Sequence, residues 1–436
     1  MMERERTQGA WSLAIVLFLA NSLSFVDRQV LTLLVKPMRA ELGISDVQVS
    51  LLQGLAFASL YAILGLPLGR LADRTHRPRL MAAGIAVWSG MTVASAFASD
   101  YAHLFIARMG VAVGEAALAP AAVSLLSDRF PRSRVGRAIA LFQAGIFVGS
   151  ALALLAGGWL LAAYDAGGME WLRALGITSG WRAVLLVVGA PGWLVALLLL
   201  FVHEPRHGAA APSTPQLGVR ASLAWVWARR DVYTGVIVAF TAITVLAYGS
   251  LAWAPTVLVR VHALASADAG IRLGMIMLFA GPLGVVGAGW LVDRLAAKGR
   301  ADAPIAAAMG GAIAFAIVVP AFALAPTLAL AMLGAVALAF AQGYPYGIAS
   351  TSFAMVTPPE MRGQVVALYL LISNLLGLTL GPLLVALGTD RIFHDDLAVG
   401  RSLALLPLVT IPLAIAGLVG ARSAYARAYA AITHTR

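Results

Sequence analysis

Read from its amino terminus, the chain alternates long apolar runs with short polar segments. A helix that crosses a bilayer needs about 20 largely apolar residues. Twelve runs reach that length, near 11–36, 48–70, 79–98, 102–127, 135–162, 182–202, 233–258, 270–293, 304–324, 327–353, 364–388 and 401–421. Membrane barrel strands would instead run about ten residues with alternating polarity, and no stretch reads that way. The pattern predicts an all-α membrane protein of twelve transmembrane helices. It divides into a six-helix bundle over 1–202, a connection over 203–232 and a second six-helix bundle over 233–436. The first run is too long for a signal-peptide core, so its helix is expected to be retained.

The connection opens on Glu204-Pro205 and continues through 208–215, small and Pro-rich, which predicts a flexible cytoplasmic linker. Val219 to Arg230 then sets Leu223, Trp225, Val226 and Trp227 beside Arg220, Arg229 and Arg230. That mixture predicts a short amphipathic helix on the cytoplasmic leaflet.

Composition agrees with the runs. Of 436 residues 61% are hydrophobic and 12% charged, with a mean hydropathy of +0.87, against about 25% charged in soluble domains. The absence of cysteine excludes disulfides and thiol chemistry. The net charge of +11 has a topological reading. Arg70, Arg74, Arg77 and Arg79 follow the second run, Arg129, Arg132, Arg134 and Arg137 the fourth, Arg294, Lys298 and Arg300 the eighth, and Arg362 the tenth. The opposite loops mix fewer bases with acids, as in Lys36, Arg39 and Glu41 or Asp390, Arg391, Asp395 and Asp396. Basic residues favour the cytoplasmic side, so the even-numbered exits and both termini are expected there, with no nucleic-acid partner.

Within this apolar background, a few ionisable residues stand out. Asp27 and Arg28 sit deep in the first run, and Arg108 and Glu115 lie seven residues apart in the fourth. A charge at mid-bilayer costs about 3 kcal/mol on insertion scales. Seven residues make two helical turns, so Arg108 shares a face with Glu115, and Asn21 shares one with Arg28. A buried carboxylate without a partner favours its neutral form, and a nearby guanidinium restores the charge. If pairing changes between two states of the protein, Asp27 and Glu115 gain and lose protons, with Arg28 and Arg108 as their partners or as contacts for a substrate head group. The same charges also suit a static network that fixes helix packing, and the residues alone do not decide between the two.

The second half has few buried charges. Its candidate cavity residues are Tyr248 and Trp253, Gln342, Tyr344 and Tyr346, and Asn374, with Gln143 and Asn21 in the first half. One charged half and one apolar, aromatic half suit an amphiphile with an anionic head and a hydrocarbon tail. The seven histidines lie near membrane edges or in loops, and no nucleotide loop, metal cluster or Ser/His pair in register points to an enzyme. No cofactor and no metal is expected.

The chain also repeats itself. Gly69-Arg-Leu-Ala-Asp73-Arg74 recurs as Gly289-Trp-Leu-Val-Asp293-Arg294, an offset of 220, and Pro131-Arg-Ser-Arg134 as Pro359-Glu-Met-Arg362, an offset of 228. Two six-helix halves in parallel repeat are expected. Gly69, Asp73, Arg74 and Arg77 resemble the loop signature of the major facilitator superfamily, with His76 where that signature has glycine. The resemblance implies secondary transport by rocker-switch alternating access, by a monomer. It also implies a conformational latch at Gly69, Asp73, Arg74, Arg77, Asp293 and Arg294. Phe25-Val-Asp27-Arg28 and the segment Arg108 to Ala116 are similar to the Spinster-like family, with Ala112 replacing a glycine. That similarity implies proton coupling and a lysophospholipid-like or sphingosine-phosphate-like substrate, or a related organic anion, in a bacterial inner membrane. Protons and membrane lipids are then the further partners. Gly136, Gly145 and Gly149 in the fifth run resemble the antiporter signature of drug exporters, with Ser150 in place of its proline. A proton-driven multidrug exporter is therefore the alternative.

Overall fold

The computed structural model describes residues 2–131, 133–202, 204, 219–358 and 360–434, with the side chains of 2–9, 66, 73, 219, 346–347 and 432–434 left aside. The Pro-rich stretch 208–215 falls outside these residues. Those described are helical almost throughout, with no strand among them. The first eleven helices are α1 (Met2–Leu33), α2 (Val35–Leu42), α3 (Asp46–Gln53), α4 (Leu55–Arg74), α5 (Arg77–Ser95), α6 (Tyr101–Glu115), α7 (Leu118–Arg129), α8 (Val135–Asp165), α9 (Glu170–Ala174), α10 (Gly180–Gly189) and α11 (Pro191–Leu200). The remainder are α12 (Val219–Ala228), α13 (Arg230–Arg260), α14 (Ser266–Ala297), α15 (Ala303–Ala323), α16 (Leu328–Met355), α17 (Arg362–Leu387) and α18 (Val399–His434). Eleven spans among the described residues are long and apolar enough to cross a membrane, and α5 supplies the twelfth helix of the pattern.

Several predicted spans are broken, and the breaks have local causes. The second run starts at the Ser45 cap, whose hydroxyl accepts from Gln48 N while the Gln48 side chain accepts from Ser45 N. It is interrupted at Gly54, whose backbone leaves the helical region (φ −103°, ψ −84°). The fourth run breaks between Glu115 and Leu118. Pro120 has no N–H to donate to the carbonyl four residues back, so the helix is not held across this point. Pro191 divides the sixth run in the same way.

The chain groups into two units, one formed by Met1–Arg206 with Ala263–Leu278, the other by His207–His262 with Phe279–Arg436. The start of α14 therefore belongs with the first unit, although its sequence position lies in the second half. Small residues allow this. A Cβ on Gly158 of α8 would meet Ala267 O at 2.5 Å, and one on Gly270 would meet Leu154 O at 2.7 Å. Gly145 lies against α1 likewise, where a Cβ would meet Phe18 O and Ser22 N at 3.0 Å, and Gly149 is tighter still against Ser22 O. In the second unit a Cβ on Gly235 would meet Gly417 O at 2.5 Å. In apolar surroundings such close backbone approach is a main source of helix association. Gly65 and Gly310 differ, since a Cβ at either would meet nothing within 4 Å.

Candidate functional site

The first unit brings the ionisable residues of α1 and α6 together. Arg28 reaches Glu115, with its Nε and Nη2 each 2.6 Å from Oε2. Ser24, one turn earlier on α1, donates to the same oxygen at 2.7 Å. The Arg28 guanidinium lies 4.9, 4.3 and 4.9 Å from the ring centres of Phe25, Phe57 and Tyr61, and Phe57 and Tyr61 stack on each other at 5.3 Å. These rings occupy one face of α4, four residues apart, and hold a cation that also has a carboxylate partner. Glu115 is the last residue of α6, immediately before the break.

Arg108 lies two turns earlier on α6 and is buried. Its Nη1 donates to the backbone carbonyl of Asp27 at 3.3 Å rather than to the Asp27 carboxylate. Asp27 is also buried, and among the described residues its Oδ1, Arg108 Nε and Glu115 Oε1 have no hydrogen-bond partner. Arg28 alone keeps an opening, with 19% of its side chain exposed against 0% for Glu115. Chemically, the cluster can hold an anion at Arg28, exchange that anion for Glu115, and take a proton on a carboxyl group whose second oxygen is not engaged.

The other candidates are distributed more widely. Asn21 donates to Phe142 O on α8 at 2.7 Å, joining α1 to α8, whereas Gln143 is exposed. In the second unit the Tyr248 hydroxyl donates to Asn374 Oδ1 at 3.2 Å, and both line a cavity of about 60 Å³ with Thr244 and Ser373. Tyr344 lines a separate, apolar cavity of about 470 Å³ between α14, α15 and α16. Gln342 is half-buried, and the Tyr346 side chain lies outside the described residues. Trp253 is buried and donates to Pro382 O at 3.0 Å.

At the repeated loop motif, Arg77 bonds through Nε to Glu204 Oε1 and through Nη1 to Asp128 Oδ2, each at 2.5 Å, and to Ser124 at 2.8 Å. Arg74 is exposed, Gly69 lies 3.8 Å from Pro120 Cβ when given a Cβ, and the Asp73 side chain is outside the described residues. The second copy is built differently. Asp293 and Arg294 are exposed, and Arg294 stacks over Trp290 at 5.2 Å. The acid that gathers cations there is Asp302, 3.0 Å from Arg300 Nε and 2.6 Å from Arg422 Nε. The Arg300 hydrogen bond, reinforced by Arg422, holds the Asp302 carboxyl down at about 2 against its partial burial. Asp128, Asp302 and Ser24 were not singled out from the sequence, and Glu204 was named only as the start of the connection. A lone acid at the end of an apolar run, as at Glu204 and Asp128, is the signal that would have found two of them.

The family model of the Major Facilitator Superfamily matches residues 17–382. The chain belongs to the major facilitator superfamily. Protein spinster homolog 1 of Bos taurus is 30% identical over 406 residues, covering 87% of this chain and 73% of that protein. An MFS-type efflux pump of Mycolicibacterium smegmatis is 28% identical over 411 residues, 93% of this chain and 90% of the pump. Among solved structures, a bacterial homologue of the human lysosomal transporter Spinster, inward-facing and unoccupied, superposes with a TM-score of 0.81 at 26% identity, covering 98% of each chain. This Spinster-like protein is therefore a multi-pass membrane transporter of a small molecule, not an enzyme.

Proposed function

We propose that the protein is a proton-coupled secondary transporter of an amphiphilic, lipid-like substrate with an anionic head, of the lysophospholipid or sphingosine-phosphate kind, or of a related organic anion. The observation that carries this reading is the Arg28–Glu115 pair, buried at the carboxylate and open at the guanidinium. A substrate anion that takes Arg28 leaves Glu115 with Ser24 alone, and a proton on Glu115 then removes the charge that has lost its partner. Asp27, buried with one oxygen unengaged, is the second proton carrier in this reading. The spinster relatives support a transporter of this type, and the lipid-like cargo rests on the resemblance carried by Phe25 to Arg28 and Arg108 to Ala116. The two halves alternate by rocking, Gly69, Asp73, Arg74, Arg77, Asp293 and Arg294 act as the latch, and the protein works as a monomer in a bacterial inner membrane with both termini cytoplasmic. The deciding experiment uses purified protein in liposomes that enclose a pH-sensitive dye. Addition of a lysophospholipid should move protons in wild type but not in Glu115→Gln or Asp27→Asn. Undiminished flux in both variants would refute the assignment.

A second reading, proton-driven multidrug export, is favoured by Gly136, Gly145 and Gly149, and the M. smegmatis efflux pump supports export as the direction. It is distinguished in the same liposomes by extrusion of a lipophilic cation without any response to lysolipid.

A further inference from the structure

We propose that the outer face of α12 is a binding surface for anionic phospholipid head groups, and that its occupancy is transmitted to α13 and α17 through two hydrogen bonds on the inner face. The helix presents large apolar side chains outward. Trp227 is 73% exposed and Leu223 46%, one helical turn apart. Arg220 is exposed one turn before Leu223 and Arg230 is exposed just beyond Trp227, so cations bracket the apolar patch at both ends. Among the described residues Arg220, Arg229 and Arg230 form no ion pair with a carboxylate. Residues 220–231 carry three arginines and one acid, Asp231, a net charge of +2.

The arginines are held in a geometry that suits phosphate. The Arg229 guanidinium lies 3.3 Å from the Trp225 ring centre, and that of Arg230 lies 6.0 Å from the Trp227 ring centre. At 3.3 Å Arg229 is in stacking distance, which uses the flat face of its guanidinium and leaves in-plane N–H donors for bidentate bonds to phosphate oxygens, whereas Arg230 lies at the outer limit of cation–π range. Tryptophan at the level of the head groups is the usual interfacial anchor. The helix immediately precedes the span Arg230–Arg260, which fixes it at a membrane edge. An aqueous protein partner would leave the bracketed Leu-Trp patch facing the bilayer margin. A zwitterionic lipid would add a cation opposite the arginines. An anionic phospholipid matches both the charge and the apolar patch.

The inner face of α12 carries the connection. Ser222 is buried and donates to Gln364 Oε1 in the first turn of α17 at 2.5 Å. Trp225 Nε1 donates to the Tyr233 hydroxyl of α13 at 3.2 Å. That hydroxyl donates in turn to Val356 O at 3.1 Å and lies 2.9 Å from Thr357 Oγ1, while Arg362 Nε donates to Thr357 O at 2.9 Å. A head group that fixes α12 thus fixes the junction between α16 and α17.

The test uses the full chain in nanodiscs of phosphatidylcholine with or without phosphatidylglycerol, and reads Tm and amide exchange. Each arginine at an anionic surface adds about a fivefold gain in affinity, so three give roughly two orders of magnitude. Phosphatidylglycerol should raise the wild-type Tm and slow exchange at 362–366. In the variant Arg220→Gln/Arg229→Gln/Arg230→Gln both effects should vanish, each measured against the variant's own values in pure phosphatidylcholine. The control Arg134→Gln/Arg137→Gln neutralises a different basic loop and should keep both. Ser222→Ala should keep the Tm gain but lose the slowed exchange at 362–366. The proposal is overturned if the α12 variant keeps its phosphatidylglycerol response, or if the loop control loses it while the α12 variant does not. Unchanged exchange at 362–366 in wild type overturns the transmission.

Discussion

Arg28 has two kinds of partner at once, a carboxylate and three aromatic rings, and only a planar, forked cation satisfies both. Arg28→Lys should therefore keep the charge yet weaken both contacts, since a point charge replaces the flat fork. We expect a decrease of at least about tenfold in substrate-driven proton flux, with a stability loss of about 1–3 kcal/mol read from denaturant or thermal melts. A lysine variant with wild-type flux would show that the fork and the rings are dispensable. The four charges at 27, 28, 108 and 115 were legible from the sequence because a charge in an apolar run is conspicuous. Their pairing was not. Arg28 and Glu115 are 87 positions apart, and nothing local tells that Arg108 turns to a backbone carbonyl while Arg28 takes the acid. Ser24 was missed for a related reason, since a serine can return its hydroxyl to its own helix, as Ser22 does to Phe18 O at 2.9 Å.

At the scale of elements, glycines set how closely helices approach. Gly149→Ala should destabilise the α1–α8 seam more than Gly145→Ala, because its new Cβ would press on the Ser22 carbonyl while that at Gly145 has 3.0 Å. Overpacking of this kind costs about 1–3 kcal/mol, and a ranking of the two Tm values in the reverse order would refute the packing argument. The glycines of α8 resemble an exporter signature in sequence, and in the structure Gly145 and Gly149 serve as the bed for α1. A second element-scale test concerns α18, which Arg422 ties to Asp302 in the turn before α15. Because the folded carboxyl titrates near 2, below its ordinary value of 3.8, its contribution is complete above about pH 4 and is lost as pH falls through 2. Asp302→Asn should lower Tm at neutral pH, and the gap from wild type should narrow below about pH 4 and be mostly gone by pH 2. A constant gap across that range would remove Asp302 from the acid response. The spans themselves were legible, but the breaks after Gln53 and Glu115 were not, since hydropathy registers neither a missing N–H at Pro120 nor an off-helix Gly54.

For the molecule as a whole, the repeat at offset 220 predicts two halves, and the grouping of Ala263–Leu278 with the first unit is not legible in it, because glycine spacing does not name the helix that a glycine will meet. This grouping predicts that fragments 1–210 and 211–436, expressed together, copurify, and that Gly158→Leu in the first fragment weakens their recovery at least severalfold by blocking the approach of Ala267 and Ile271. Recovery that is indifferent to Gly158→Leu would show that other contacts hold the fragments. The two open glycines bear on how the rocking proposed above would be watched. Gly65 sits in the first unit and Gly310 in the second, each with free space where a side chain would begin. The chain has no native cysteine. A cysteine pair at these two positions would take spin labels without prior removal of reactive thiols and without crowding a neighbour, so the natural protein is already prepared as a molecular ruler for its own transport cycle.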